Sequence, residues 1–327
     1  MLERVTRCLP SSFRVRAAGA AGQRILAVAA AIRNGGATAL LEGEGDARLQ
    51  AVVRAQELTF AGVEALFAPQ AGEGPDASAA VAARGAGSSH PVPEAFLERW
   101  FEAHVRGGPE HGARLEAVLR LDERGRVALE HEASARAVLA HHEGHKLLGV
   151  TNHGAAGVEA LNEALHGRHL RRLGLSSFHG LAVGDPVLFT RNDYGLELFN
   201  GDTGVVLSCA APTREPRPMA VFARGARLVA FSLGALRERL LLAYALTVHR
   251  AQGSEHDVVG LVLPPRPQPL LSRALLYTAV TRARRGVVLV GSEDVLRAGV
   301  RHHPLRGSGL RERVGAEAIP PRVADGG

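Results

Sequence analysis

Three short and mostly aliphatic runs have the length of buried strands. They occupy residues 147–150, 258–263 and 287–290, and a helix-length segment separates the last two. A strand, a crossover helix and a second strand within about thirty residues is the sequence form of a parallel βαβ unit. Residues 156–165 supply a further predicted helix after the first run. This pattern predicts an α/β fold in which helices cover a parallel sheet.

Two other segments are apolar at helical spacing. Residues 23–32 are apolar on one face, and the Gly35-Gly36 pair stops the pattern, which predicts a packed helix. A second helix is predicted where four large apolar residues share a face, namely Phe96, Leu97, Trp100 and Phe101. Between these helices, residues 69–93 are rich in alanine, glycine and serine and have no periodicity, so we expect a flexible surface insertion there.

From residue 181 onward, short apolar runs alternate with residues that are typical of tight turns. Strands are predicted at residues 219–222 and 227–231, among others. The turn residues that separate the runs are Gly184, Asp185, Arg191, Asn192, Asp193, Asn200, Gly201 and Asp202. Hairpins of this length predict a small β-barrel over residues 181–238, after which the chain returns to the α/β pattern.

Composition and charge narrow the function only slightly. The net charge of +6 favours a polyanionic partner, but 33 acidic residues are spread among the 39 basic ones. A basic cluster at residues 168–172 is interpreted as a solvated loop, with contact to DNA phosphates as the alternative. Aromatic residues make up 4% of the chain, so a stacking platform of many rings is not expected. No apolar run approaches the roughly 18 residues of a membrane span, so we expect no membrane-spanning segment. The two widely separated cysteines fit a reducing cytoplasm, where we expect the chain to be.

Cysteines and histidines do not have the spacing of a metal site. Cys8 and Cys209 lie far apart in the sequence, so neither a disulfide framework nor a cysteine-based metal site is expected. His141, His142 and His145 are close together, but their His-His-Glu-Gly-His spacing differs from the His-Glu-x-x-His of zinc enzymes. No metal ligand is therefore predicted in this chain.

The chain contains a single lysine, Lys146, within Gly-His-Lys-Leu. A P-loop needs Gly-x-x-x-x-Gly-Lys-Ser/Thr, because its lysine reaches the β- and γ-phosphates of a nucleotide. The Asp122-Glu123 pair follows Arg120, and we interpret it as a helix end and not as a Walker B strand. The sequence therefore predicts neither a Walker A nor a Walker B motif.

Four segments carry a resemblance to a known family. Residues 247–257 read TVHRAQGSEHD and resemble motif V of RecD-like superfamily-one DNA helicases, the family of the exodeoxyribonuclease V alpha subunit. Residues 275–285 read LLYTAVTRARR and resemble motif VI of the same helicases. The Ser-Phe-Arg at residues 12–14 is similar to motif IV, and residues 186–204 are similar to the family's SH3-like insert.

This resemblance implies the second RecA-like motor lobe of such a helicase. Residues 1–180 and 239–300 would form the lobe, residues 181–238 an inserted SH3-like barrel, and residues 301–327 a disordered tail. The implied function is ATP-dependent DNA unwinding in recombinational repair, with 5′-to-3′ polarity. The implied cofactor is ATP with Mg²⁺, and the Mg²⁺ ligands are expected on the first motor lobe, which this chain lacks.

The resemblance also assigns roles to single residues. Arg282 is the implied arginine finger, since a planar and permanently charged side chain suits the phosphate charge of the transition state. Arg14 is a second implied phosphate contact. The implied nucleotide contacts are Gln252, Gly253 and Glu255. The implied contacts to single-stranded DNA are Thr247, His249, Arg250, Arg191 and Asn192. Asn162 is interpreted as a structural hydrogen-bonding residue.

Departures from the family leave three explanations open. Arg250 and Ala251 stand in place of the usual Lys-Ser, and His256 replaces an aromatic residue. The absent P-loop predicts that the chain alone does not hydrolyse ATP. It is then a helicase fragment whose first half was cut off, a split subunit that a Walker A-bearing partner completes, or a non-catalytic DNA-binding remnant. The implied partners are single-stranded DNA and either RecB- or RecC-like subunits or a polypeptide that carries the first lobe.

Overall fold

The computed structural model describes residues 19–67, 91–177, 180–236 and 238–303. Arg14, residues 69–90 of the predicted insertion and residues 304–327 of the predicted tail lie outside the described residues. In chain order the strands are β1 (Gln50–Ala51), β2 (Gly62–Phe67), β3 (Leu119–Arg120), β4 (His145–Gly149), β5 (Pro186–Phe189), β6 (Thr203–Ala210), β7 (Arg217–Arg224), β8 (Arg227–Ser232), β9 (Leu240–Leu242), β10 (Ala245–Thr247), β11 (His256–Val262) and β12 (Ala283–Gly291).

The described residues also form α-helices. In chain order they are α1 (Gly19–Arg33), α2 (Ala37–Leu41), α3 (Glu94–Trp100), α4 (Pro109–Glu116), α5 (Leu129–Gly144), α6 (Val158–Arg172), α7 (Leu233–Leu236), α8 (Arg273–Val280) and α9 (Glu293–Arg301). A π-helical turn at Phe101–Val105 continues α3 without a break.

Six of the described strands form a parallel sheet in the order β1-β2-β12-β11-β4-β10. Val287 of β12 packs in one hydrophobic cluster with Ile25 of α1, whereas the next residue, Val288, packs in another with Trp100 of α3. Since successive side chains of a strand point to opposite faces, helices cover both faces of this sheet. Full burial of each such aliphatic side chain stabilises the fold by about 1.5–3 kcal/mol. The predicted α/β class, with helices covering a parallel sheet, is confirmed.

One predicted helix ends later than the sequence suggested. The helix predicted at residues 156–165 is observed as α6, so the basic cluster at residues 168–172 forms its last turn. Arg168 in that turn is only 5% exposed and forms ion pairs with Glu94 and Glu98 of α3. The prediction of a loop was wrong, because these residues are helical. Arg168 is not solvated, because its acidic partners come from a distant part of the chain, whereas Arg171 and Arg172 are exposed as predicted.

The other described strands form a mostly antiparallel small sheet. Its order is β8-β7-β6-β5-β9, and β3 adds to it in parallel with β6. Phe189 and Phe222 pack on one face of the small sheet. Val138 of α5 covers the other face, where it packs with Val205 and Leu207. Because α5 leads directly into β4, one helix connects the core of the small sheet to the large sheet.

The segment that follows β3 is a tight turn. Asp122 accepts hydrogen bonds from the backbone N–H groups of Arg124 and Arg126, each at 2.9 Å. These backbone donors lower the pKa of the Asp122 carboxyl. Aspartate favours such turns because its side chain bonds to its own backbone a few residues on. The predicted helix end at this position was therefore wrong.

Candidate nucleic-acid interface

The segment 248–255 connects β10 to β11 and runs from the C-terminal ends of the strands of the large sheet back to their N-terminal ends. Thr247, the last residue of β10, is in register with Gly149 at the C-terminal end of β4, whereas β11 begins beside the opposite end of β4. One helical turn starts the crossing, because the Ala251 N–H donates to the Thr247 carbonyl at 3.0 Å. The Thr247 hydroxyl accepts the Arg250 N–H at 3.2 Å and caps this turn. We call the segment the crossing turn.

Arg282 lies where the crossing turn meets the end of α8. Its Nη1 donates to the Ser254 carbonyl at 3.0 Å, and its Nε donates to the Thr278 carbonyl at 3.2 Å. The Arg282 carbonyl in turn accepts the His256 N–H at 2.8 Å. These bonds fix the guanidinium beside the N-terminal ends of β11 and β12, so little rotamer freedom remains to be lost when it meets an anion.

The residues predicted to contact nucleotide lie near the same N-terminal ends of β11 and β12. Glu255 accepts a hydrogen bond from Arg284 Nε at 3.2 Å. Gly253 has a φ of +91°, and no atom lies within 4 Å of the place where a Cβ would be, so its backbone is open to an approaching ligand. Gln252 beside it is exposed. Three predicted residues and Arg282 therefore share one surface of the lobe.

Two cavities lie between the crossing turn and the small sheet, and together we call them the groove. The larger has a volume of about 420 Å³ and the smaller of about 350 Å³, and Leu188, Leu246 and Arg250 line both. Thr247 lines the smaller cavity. The predicted DNA contacts Arg250 and His249 on the crossing turn are exposed, whereas Thr247 at the end of β10 is buried.

The remaining predicted DNA contacts lie on the loop of residues 190–202 between β5 and β6. Arg191 and Asn192 are both exposed there. The Asn192 Oδ1 accepts the backbone N–H of Asn200 at 2.9 Å, so this amide also closes the loop. Asn200 and Gly201 line the larger cavity. The structure thus brings the loop to one wall of the groove and Arg250 to the other.

Two buried groups of the groove were not assigned from the sequence. Lys146 is 2% exposed, its Nζ donates to the Ala243 carbonyl at 2.6 Å, and burial lowers its pKa to about 8. His256 donates from Nδ1 to the Glu143 carbonyl at 2.5 Å, and burial lowers its pKa to about 4. A neutral imidazole therefore occupies the position where the family has an aromatic ring. The Glu143 carboxylate accepts the Thr203 hydroxyl at 2.8 Å and so connects α5 to the small sheet.

A buried carboxylate fixes the place where the chain enters and leaves the small sheet. Asp185 is fully buried and accepts hydrogen bonds from Tyr244 Oη at 2.6 Å, His166 Nδ1 at 3.0 Å and the Ala182 N–H at 2.7 Å. We call these four residues the Asp185 network. Its hydrogen bond to Asp185 raises the pKa of His166, and burial beside the same carboxylate raises that of Tyr244. No sequence motif marks this network, since Asp185 is 19 positions from His166 and 59 from Tyr244.

Asn162 on the same helix as His166 has the predicted structural role. Its Nδ2 donates to the Ala245 carbonyl at 3.1 Å, and its Oδ1 accepts the Ala245 N–H at 2.9 Å. The side chain thereby completes the backbone hydrogen bonding of edge strand β10.

Five histidines pack against one another behind the small sheet, and we call them the histidine cluster: His104, His111, His141, His142 and His145. The rings of His111 and His141 stack at 3.9 Å between centroids, and those of His104 and His145 at 4.5 Å. Burial is the main cause that lowers all five pKa values, that of His104 to about 3 and that of His111 to about 4. Neutral imidazoles fill this part of the core.

Neither a metal-binding cluster nor a membrane-spanning helix is found within the part of the chain that the structure describes. No three or more histidine, cysteine or carboxylate side chains in these residues are arranged to hold a metal ion. No helix formed by these residues has both the length and the apolar character that crossing a membrane requires.

Comparisons with known proteins agree with the motifs. Residues 242–290 match the model of the UvrD-like helicase C-terminal domain family. The chain is 36% identical over 242 residues to the RecBCD enzyme subunit RecD of Mycolicibacterium smegmatis, which covers 73% of this chain and 39% of that protein. It is 43% identical over 141 residues to the ATP-dependent RecD2 DNA helicase of Deinococcus radiodurans, which covers 41% of this chain and 18% of that one.

Among solved structures, the Pif1 helicase from Bacteroides in complex with ADP-AlF3 and single-stranded DNA is similar. It superposes with a TM-score of 0.32 at 17% identity, covering 64% of this chain and 55% of that chain. The aligned part of the chain spans less than half the length of the two curated relatives described above.

Proposed function

We propose that this chain, which has the sequence and fold of a RecD-like C-terminal helicase lobe, binds single-stranded DNA in the groove at Arg250. We also propose that it supplies Arg282 to a nucleotide at the far end of the crossing turn, where Ser254 and Glu255 line the larger cavity as well. In that role it is the second half of an ATP-dependent DNA helicase. The activity, the substrate and the partners of the whole motor rest on this proposal, because the aligned relatives are much longer.

A single observation carries the proposal. The crossing turn exposes Arg250 to the groove at one end, and at its other end the Ser254 carbonyl accepts a hydrogen bond from Arg282. A strand that displaces Arg250 therefore moves the backbone that orients Arg282. This is the physical coupling that a translocating motor needs between its DNA and its nucleotide.

The residues near the N-terminal ends of β11 and β12 suit one side of a phosphoryl-transfer site. In such reactions negative charge spreads over the phosphate oxygens, and a positioned arginine stabilises that charge in the transition state. Arg282 is the proposed arginine finger, Glu255 and Gln252 the proposed contacts to the nucleoside, and Gly253 the point of close backbone approach. ATP with Mg²⁺ would supply the transferable phosphate, and we assign no Mg²⁺ ligand to this chain. Arg14 is proposed as a second phosphate contact from its motif alone.

The proposed path of the phosphate backbone runs past Arg250, the exposed cation of a groove that Glu143, Glu159, Glu163 and Glu255 also line. Arg250 between the two cavities is the proposed central contact, with His249 on the same turn, Thr247 at the end of β10, and Arg191 and Asn192 on the facing loop. Arginine binds phosphate through a planar set of donors, so the replacement of the family's lysine by Arg250 preserves the charge and adds donors. The proposed direction of movement, 5′ to 3′, follows from the RecD-like sequence.

The chain has no Walker A motif, since its one lysine lies in β4 and is buried. A first motor lobe from the missing half of the polypeptide or from a partner would therefore complete the ATP site, and RecB- and RecC-like subunits are further proposed partners. The alternative is a DNA-binding remnant without ATPase activity.

Binding and hydrolysis measured together test the proposal. We expect the purified chain to bind a labelled oligothymidylate in fluorescence anisotropy, and the Arg250→Ala variant to bind more weakly with a salt dependence reduced by about one ion. Arg54→Ala is the matched control, because Arg54 is exposed near β1 at the far edge of the large sheet. Equal binding by all three proteins would contradict the assignment of the groove.

ATP hydrolysis supplies the second readout. Without a first lobe we expect no turnover above background, with or without DNA, and no change on Arg282→Ala. Addition of a lobe that carries Walker A should restore DNA-stimulated turnover in the wild type but not in Arg282→Ala. Turnover by the chain alone that disappears in Arg282→Ala would overturn the half-motor model, and DNA binding without any rescue would favour the remnant.

A further inference from the structure

The loop of residues 190–202 holds two large aromatic side chains in solvent. Tyr194 is 78% exposed and Phe199 is 46% exposed, and their rings form a T-shaped pair with centroids 6.0 Å apart. Burial of an aromatic ring is among the larger favourable contributions in a protein core, so two neighbouring exposed rings on one short loop leave that stabilisation unused. The small content of aromatic residues in the chain makes the position of these two more informative.

Several bonds hold this loop in one shape. The Asp193 carboxylate accepts the Leu196 N–H at 3.0 Å and pairs with Arg239, while the Asp202 carboxylate accepts the Phe199 N–H at 2.7 Å. Glu197 adopts a left-handed φ of +51° between the two rings and pairs with Arg224. A flexible loop could fold its rings onto the small sheet, whereas the hydrogen bonds and ion pairs of this loop keep the two rings exposed. The pair is thus organised before any partner arrives.

The surroundings of the rings favour one class of partner. Asn200 and Gly201, which follow Phe199 in the chain, line the groove, so the rings adjoin the proposed path of the DNA. The acidic side chains Asp193 and Glu197 are neutralised by arginines, and Arg191 is exposed on the same loop. The groove itself is lined by Arg250 and the buried Lys146 together with four glutamates, Glu143, Glu159, Glu163 and Glu255. Exposed rings beside arginines such as Arg191 are an arrangement by which proteins bind unpaired bases without sequence preference.

We propose that Tyr194 and Phe199 stack against unpaired bases of single-stranded DNA at the groove. The inference rests on the proposed function, and it adds a contact to bases where the groove itself offers contacts to phosphates. Every base presents a π-face, so the contact tolerates any sequence. The ring pair would hold the strand between steps at a point outside the two cavities.

The test compares an ordinary oligothymidylate with an abasic oligonucleotide of equal length. The abasic strand keeps the phosphates but has no bases to stack. We expect the full chain to bind the ordinary strand about tenfold more tightly, and Tyr194→Ala or Phe199→Ala to reduce that preference severalfold, because stacking contributes about 1–3 kcal/mol per base. Tyr194→Phe should keep the preference. Tyr194→Leu, which keeps an apolar side chain without a π-face, should lose it.

Leu129→Ala is the matched control, because Leu129 is 72% exposed at the start of α5 and should not affect either affinity. Equal affinity of the wild type for both strands would overturn the inference while the proposed function stands. So would a Tyr194→Ala variant that weakens binding to both strands by the same factor. No binding to either strand would instead overturn the proposed function itself.

Discussion

The histidine cluster and the Asp185 network bury the same kind of side chain, but they shift its pKa in opposite directions. The cluster lowers the pKa values of His104 and His111 to about 3 and about 4, whereas the network raises that of His166. His166 shares a hydrogen bond with a fully buried carboxylate. His104 and His111 face other histidines of the cluster and the arginines Arg99 and Arg114, respectively.

The difference teaches that the partner decides the charge of a buried histidine. Burial alone favours the neutral ring, and an adjacent carboxylate reverses this by stabilising the imidazolium. The cluster therefore stabilises the fold only while it is neutral. The Asp185 network works best when His166 carries its proton, and it lies at the base of β5 and β10, whose side chains form the groove. Three measurements can break or sharpen this contrast.

Acidification should have the largest effect. In the folded chain the pKa values of His104 and His111 are about 3 and about 4, so both rings stay mostly neutral at pH 5. In the unfolded chain the same rings are protonated below the ordinary histidine pKa of about 6.5. Stability is therefore lost as the pH falls from 6.5 towards 4, and at pH 5 each of the two accounts for a loss of about 2 kcal/mol, so about 4 kcal/mol together. Urea unfolding at pH 7 and pH 5 measures this. A free energy of unfolding that does not change would show that the cluster opens to water.

Removal of the carboxylate should have the next largest effect. Asp185→Ala leaves three buried donors without their acceptor, so we expect a loss of about 3 kcal/mol at pH 7. Asp185→Asn, which keeps the shape, should lose less. Because the raised pKa of His166 contributes stability below about pH 6.5 that is lost at higher pH, the loss on Asp185→Ala should grow as the pH falls. Urea unfolding at pH 6 and pH 8 checks this, and the reverse trend would refute the network.

Replacement of one cluster histidine should have the smallest effect. Within the described residues His104 Nε2 has no hydrogen-bond partner, and its ring packs against Phe60 and Trp100. His104→Phe should therefore be close to neutral at pH 7 and should remove about 2 kcal/mol of the acid-induced loss at pH 5. His303→Phe, at an exposed position, is the control and should leave the acid-induced loss unchanged. If both variants respond alike, another group causes the acid sensitivity.

The parts of the fold that depend on neighbouring residues could be predicted from the sequence. Strand and helix periodicity predicted the βαβ unit around β11 and β12, and Asn162 was correctly interpreted. The parts that depend on distant pairs could not be predicted. Arg168 was placed in a solvated loop because its partners Glu94 and Glu98 precede it by a long stretch of chain.

The candidate site likewise contains residues that could be predicted from the sequence and residues that could not. Motif resemblance brought Arg282, Glu255 and Arg250 to attention, and the structure adds that one turn joins their surroundings. No motif marked Tyr194 and Phe199, because exposure is a property of the folded loop and not of its sequence. The roles assigned from the motifs remain proposals for the experiments described above.

The burial of Lys146 has a practical consequence for chemical labelling. It is the one lysine among 327 residues, and 2% of its surface is exposed. A reagent that acylates lysine side chains can therefore modify this chain there only when the core between β4 and the crossing turn opens. The rate of that single modification, followed by mass spectrometry, reports the opening of this part of the molecule directly. Conversely, immobilisation through lysine would select opened molecules, and attachment through engineered surface cysteines would preserve the folded lobe.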